Sequence, residues 1–369
     1  MGSTARPAAP DLVCADCGTE YEAGPNEPWR CTCGGPLEID AEPLPPGPPP
    51  DLDRDAGLWA FESLMPVERR VTLGEGFTPL VGAPSWDAAF KLEYVFPSGS
   101  FKDRGATTTL SRAAALGVER LVEDSSGNAG AAIAQYAARA GIPADIYVPA
   151  GVKAAKLRAI EGTGANAIRI EGSRAAVTEA CIDAVESGSA WYASHAWNPA
   201  FFAGTETFAF EVAAQRDWSV PDAVVLPVGH GTLFLGAYRG FRRLERAGWT
   251  DGVPRLFGVQ ASGVAPLVEG GHAESVEPSG GRNDLADGIQ IAEPARGNQI
   301  LTAVEATDGD VIAIGESATE SALRDLHRAG FYVEPTSAVA VAGLEAYREH
   351  TLDGDESVVV PLTGSGLKT

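Results

Sequence analysis

From about residue 90 onward, short runs of β-branched and aromatic residues alternate with Ala-rich stretches. The runs are residues 120–126 (RLVEDSS), 144–150 (ADIYVPA), 166–172 (NAIRIEG), 190–196 (AWYASHA), 223–231 (AVVLPVGHG), 255–262 (RLFGVQAS), 331–335 (FYVEP) and 357–366 (SVVVPLTGSG). Strands buried on both faces read as near-continuous apolar runs of this kind. The stretches between them read as helices, one running from about Asn128 to Ala140. The alternation predicts βαβ units: an α/β fold whose parallel sheets are covered by helices on both faces. In such sheets ligands bind beyond the carboxyl ends of the strands. Three Gly, Ser and Thr clusters stand there, SSGNAG at 125–130, GHGT at 229–232 and TGSG at 363–366.

Composition narrows the partners. A chain of 369 residues that is 44% apolar buries a large core and has the length of two or three domains. Its net charge of -22 argues against a nucleic-acid backbone or an anionic membrane and points to a small-molecule partner. Acids in excess and scarce lysine suggest a halophilic setting, since at 1 M salt the Debye length shrinks to about 3 Å and self-repulsion fades. The start lacks the apolar core of a leader and no later segment approaches a membrane span, so a cytoplasmic location is expected.

Four of the five cysteines fall early, Cys14 and Cys17 as C-x2-C, then Cys31 and Cys33 after a gap of 13 residues. Each pair is followed by glycine, which lets backbone amides turn toward the sulfurs. Four thiolates suit tetrahedral Zn2+, so a structural zinc ribbon is expected; four ordinary reduced thiols are the alternative. Residues 41–50 (AEPLPPGPPP) read as a stiff extended linker.

The chain has five lysines against 23 arginines, and one of the five stands in FPSGSFKDRGA, residues 96–106. Lys102 therefore reads as present for its amine. The 125–130 and 229–233 loops join strands to helices, where unpaired N–H groups and the helix dipole favour an anion. Taken singly, either loop is equally a capped turn. Two anion sites, a scarce lysine and a terminal hydroxyl loop are together what a pyridoxal-phosphate enzyme acting on a small amino acid requires.

The segments GEGFTPL (74–80), PSGSFKDRGA (97–106), SSGNAG (125–130), PVGHGT (227–232), EPTSAVA (334–340) and LTGSGLK (362–368) resemble the fold type II, tryptophan synthase beta-like pyridoxal-phosphate enzymes, and among them the threonine synthases. The resemblance implies two parallel-sheet α/β domains with the active site between them, and a homodimer. It divides the chain into a ribbon at 1–40, a linker at 41–57 and a catalytic region at 58–369, with a small mobile subdomain at about 100–200. It implies that Lys102 bonds the cofactor and then moves protons, that Phe101 packs near the ring, and that Asn128 meets the 3′-oxygen. Ser125, Ser126, Gly127 and Ala129 would hold the substrate carboxylate. Gly229, His230, Gly231, Thr232 and Leu233 would surround the cofactor phosphate, and Thr363, or else Ser365, would meet the pyridine nitrogen. His195, Trp197 and Asn198 either face the substrate or pack in a turn.

A threonine synthase converts O-phospho-L-homoserine and must hold a second phosphate. In that family the stretch matching residues 198–212 commonly carries Arg and Lys, where this chain has Phe201 and Glu206. Losing the bidentate arginine contact removes roughly 1.5–3 kcal/mol of phosphate binding. A threonine or serine dehydratase and a cysteate synthase-like β-replacement enzyme therefore stay open beside threonine synthase. So does an inactive cofactor-binding homologue.

Overall fold

Within the computed structural model, residues 9–188, 190–269 and 281–368 are described; the first eight residues, where no leader is expected, lie outside them. Two units divide the chain, one built from residues 9–45, 52–75 and 102–204, the other from residues 46–51, 76–101 and 205–368.

The first unit carries two sheets. Leu12–Cys14 pairs antiparallel with Glu20–Tyr21 on one side and Leu37–Ile39 on the other, the small sheet of the cysteine segment. The second sheet is fully parallel, in the order Asn166–Ile170, Ala144–Pro149, Leu121–Glu123, Trp191–Tyr192. Its helices include Lys102–Leu116 and Asn128–Ala140, the latter bounded as its sequence implied. Leu110, Ile133, Tyr136, Ile146, Val148 and Phe201 share its core.

The cysteine sheet is seated on this unit by aromatic and charged contacts, two of them deeply placed. Trp29 meets Tyr192 and Trp197 edge-on, at 5.6 and 5.0 Å between ring centroids. Glu27 accepts a 2.6 Å hydrogen bond from Arg112, whose side chain is 1% exposed and which also donates to the Pro10 carbonyl.

The second unit has a six-stranded sheet in the order Asp310–Ile314, Arg255–Ala261, Ala223–Pro227, Val358–Pro361, Ala88–Lys91, Leu80–Ala83. All pairings are parallel except the last, a hairpin of Leu80–Ala83 with Ala88–Lys91. That antiparallel edge departs from the expected parallel sheets, and Asp310–Ile314 is a strand absent from the sequence reading. The expected strand at 331–335 is not one: only Val333 makes an isolated bridge, to Ser365. Gly330, at φ 93°, closes the preceding helix, and Pro335 opens Pro335–His350, so four residues are left to connect two helices. Buried Lys91 ties the hairpin to helix Thr207–Gln215, donating to Glu211 Oε2 and Thr78 O at 2.6 Å each and to Gln215 Oε1 at 2.9 Å. Among the described residues no helix is long and apolar enough to cross a membrane.

Candidate active site

Lys102 opens the helix Lys102–Leu116, and residues 103–113 of that helix are all buried. Hydroxyls fasten it: Thr107 donates to Val71 O at 2.7 Å and Thr108 to Ala200 O at 2.7 Å, which also fixes the backbone just before Phe201. Tyr136 places its hydroxyl 3.0 Å from Glu75 and 3.3 Å from Asp103. Glu75, from the GEGFTPL segment, accepts in addition from Trp59 Nε1 at 3.0 Å. The Lys102 Nζ lies over the Phe201 ring, 5.6 Å from its centroid.

The 125–130 loop follows strand Leu121–Glu123 and enters helix Asn128–Ala140, as its composition implied. Ser125 Oγ accepts from the Gly127 amide at 3.2 Å. Gly130 is required here, because a Cβ would stand 1.7 Å from the Ser125 carbonyl oxygen. The result is a tight turn that aims the first amides of a helix outward, geometry suited to a carboxylate. Asp124 braces the loop from behind, accepting from Thr178 Oγ1 at 2.5 Å and Tyr192 OH at 2.8 Å. Glu123, fully buried, sits 2.7 Å from His195 Nδ1; burial, with Asp124 beside it, pushes its carboxyl well above the usual range. His195 and Asn198 are thereby engaged in the protein itself: Asn198 donates to Tyr192 O and accepts from the Ala200 amide.

In the second unit, Gly229 to Leu233 lead from strand Ala223–Pro227 into helix Thr232–Arg246. Gly231 has φ 73°, and a Cβ there would lie 2.3 Å from Ile300 Cδ1; at Gly229 it would lie 3.1 Å from Ile289 Cα. The loop is a cradle that side chains would fill, set at a helix N-terminus, which fits a phosphate. Thr232 is 2% exposed and its carbonyl accepts from Thr205 Oγ1 at 2.9 Å.

The terminal hydroxyl loop joins three of the quoted segments. Phe101 N donates to Thr363 O at 3.0 Å, Ser365 N to Gly99 O at 2.9 Å, and Glu334 N to Gly364 O at 3.0 Å. Thr363 Oγ1 is 3.1 Å from Ser337 Oγ, and Ser337 Oγ also accepts from the Gly364 amide. Ser337, within EPTSAVA, is thus the residue that packs directly behind Thr363, a meeting the sequence does not signal. Ser365 Oγ is turned to the Leu367 amide, so Thr363 is the hydroxyl held in place by a second one.

The four cysteine sulfurs lie within 4.8 Å of one another and none is in a disulfide. Cys14 and Cys33 are 3.6 Å apart, Cys17 and Cys31 3.5 Å, close to the ~3.8 Å between ligands of a tetrahedral ion with bonds near 2.3 Å. The Tyr21 hydroxyl, 3.1 Å from Cys31 Sγ, leads in drawing that thiol down to about 6. At Cys33 the Gly35 amide lowers the thiol, yet the crowding sulfurs of Cys31 and Cys14 push it up to about 12. A set that stabilises thiolates but resists holding all of them charged suits a divalent cation.

Residues 71–364 match the family model described as pyridoxal-phosphate dependent enzyme. The chain is 34% identical to the threonine synthase of Methanosarcina acetivorans over 97% of its length and 92% of the relative. It is 32% identical to that of Methanocaldococcus jannaschii, over 96% and 92%. Among solved structures, a threonine deaminase from T.th. is similar at TM-score 0.63 and 25% identity, covering 78% of this chain and 92% of that one. Cysteine synthase of Entamoeba histolytica is similar in fold at TM-score 0.66 and 21% identity, covering 79% and 86%.

Proposed function

We propose that this chain, which belongs to the pyridoxal-phosphate dependent enzyme family, works as a threonine synthase, converting O-phospho-L-homoserine and water to L-threonine and phosphate. The observation that carries the reading is its likeness to threonine synthases at 32–34% identity over nearly its whole length. Pyridoxal phosphate is its cofactor and supplies the electron sink of the reaction.

Each site residue then has a task consistent with its surroundings. Lys102 carries the cofactor covalently, and its amine, once displaced by the substrate, holds and returns protons at the substrate carbons. In the net change phosphate leaves Cγ, Cβ gives up one proton and takes hydroxide from water, and Cγ gains one proton. Gly229, His230, Gly231, Thr232 and Leu233 hold the cofactor phosphate; the glycine cradle supports this. Asn128 meets the 3′-oxygen and Phe101 flanks the ring. Ser125, Ser126, Gly127 and Ala129 take the substrate carboxylate at the helix start. Thr363, steadied by Ser337, faces the pyridine nitrogen with a hydroxyl, which leaves that nitrogen free of an enforced proton. Cys14, Cys17, Cys31 and Cys33 hold a structural zinc. We further propose a homodimer in a salt-rich cytoplasm, on composition and family alone.

One observation favours a second reading, a dehydratase of threonine or serine. Phe201 is fully buried and Glu206 is bound to Arg243 at 2.9 Å, so neither position offers a cation to a substrate phosphate. The test is a product assay in concentrated KCl with added cofactor, in separate tubes of O-phospho-L-homoserine, L-threonine, L-serine and O-phospho-L-serine. Threonine and phosphate from the first tube support the synthase. Oxo acids from threonine or serine, with the first tube silent, replace it by the dehydratase.

A further inference from the structure

We propose that Phe201 is a positioning residue for the Lys102 amine, its ring face holding the cationic nitrogen at one point. The proposal rests on the reading of Lys102 as the lysine that carries the cofactor. The Nζ lies 5.6 Å from the ring centroid, inside the range where the negative face of a ring attracts a cation, and more strongly when water is excluded.

The ring has no freedom to swing away. It is fully buried, and it occupies the space that a side chain at position 105 would need: a Cβ on Gly105 would lie 2.2 Å from Phe201 Cδ1. Glycine within a helix is a weak helix former, so its presence three residues after Lys102 is accounted for by the ring laid across it. On another side His195 packs at 6.0 Å between centroids with planes 66° apart, and Glu123 holds His195 at 2.7 Å. The backbone before the ring is pinned by Thr108 on Ala200 O, and the Phe201 amide itself donates to Asn198 O at 3.1 Å. Lys102 and Phe201, 99 positions apart, are thus fixed to each other by one glycine, one histidine and one hydroxyl.

Other charged groups stand nearby. Asp103 and Arg104 follow on the same helix, with Tyr136 donating to Asp103. Glu123 on the neighbouring strand feels the charge of Lys102 but is turned to His195, and its burial opposes ionisation. The ring adds a contact that depends on the charge of the nitrogen and not on its hydrogen-bonding capacity. It favours the protonated nitrogen over the neutral one and so raises the pH at which the nitrogen loses its proton.

The test replaces Phe201 by phenylalanines carrying one, two and three ring fluorines, which weaken the face of the ring with little change of shape. In the holoenzyme the visible band of the cofactor–lysine linkage is titrated with pH. The expected result is a midpoint that falls stepwise with fluorination, by about one pH unit across the series. A midpoint that does not move across the series overturns the proposal, and because shape is kept, loss of folding cannot produce that result. Lys102→Ala separates the two levels. If it loses the band while the fluorinated series stays flat, only the role of Phe201 fails; if it keeps the band, the assignment of Lys102 fails and the role of Phe201 falls with it.

Discussion

Replacing Lys91 by methionine keeps an unbranched side chain, one atom shorter, and removes its charge. Lys91 and Glu211 are both fully buried, their charges 2.6 Å apart. The substitution withdraws donors from three acceptors, of which Thr78 O keeps the Gln215 amide at 2.9 Å and is not orphaned. Glu211 keeps the Thr78 amide at 3.2 Å but loses its 2.6 Å contact with the Lys91 cation. Breaking a buried pair from one side costs about 3–5 kcal/mol, against a total stability of about 5–15 kcal/mol. A second substitution, Glu211→Gln, removes the carboxylate charge that Lys91 faces and retains an acceptor for Thr78, so the double variant recovers about 2 kcal/mol. The assay is equilibrium unfolding in guanidinium followed by circular dichroism, with cofactor concentration held constant. A loss under about 1 kcal/mol for Lys91→Met, or a double variant no more stable than the single one, would refute the reasoning, because Glu211 would then not be a buried charge dependent on Lys91.

Gly231→Ala forces a side chain onto a left-handed φ of 73° and toward Ile300, so cofactor affinity falls at least tenfold, about 1.4 kcal/mol, when measured by absorbance titration. Chelation of purified protein releases about one zinc per chain without bleaching the cofactor; a fresh preparation that holds no metal rejects the ribbon assignment. The hydroxyl and then the amide of Ser357 hold the Asp222 carboxyl below its ordinary value. A lowered folded value stabilises above the unfolded one and is lost as pH falls through the folded one. Ser357→Ala therefore narrows the stability difference between neutral and acid pH, and carboxyl NMR titration should show the Asp222 midpoint moving up.

Elements whose pattern is local were legible in the residues themselves. Ala223–Pro227 is buried throughout and reads as a continuous apolar run; the helix at Asn128 announces itself by the Ser-Ser-Gly turn before it and ends at Gly141 in the left-handed conformation. The glycine loops could be read because glycine at Gly130 and Gly231 answers to geometry a few residues away. What depends on distant partners could not be. Residues 331–333 have the composition of a strand but only one bridging partner, and the two helices beside them decide the outcome. The Leu80–Lys91 hairpin is signalled weakly, by Pro84 and by Asp87 at φ 48°. Ser337 behind Thr363, and Phe201 beneath Lys102, are meetings across 26 and 99 positions that no periodicity records.

The seating of Trp29 and Glu27 has a consequence for how the chain is made. Arg112 follows Glu27 by 85 residues, and Tyr192 and Trp197 come later still. At about 5–20 residues per second of synthesis, the cysteine segment leaves the ribosome several seconds or more before its charged anchor exists, and longer before its aromatic one. During that interval the segment with its four sulfurs is complete while Arg112, Tyr192 and Trp197 are still to be made. The order of synthesis thus gives assembly a direction: the cysteine segment is made first, and the helix and strand that seat it come to it later.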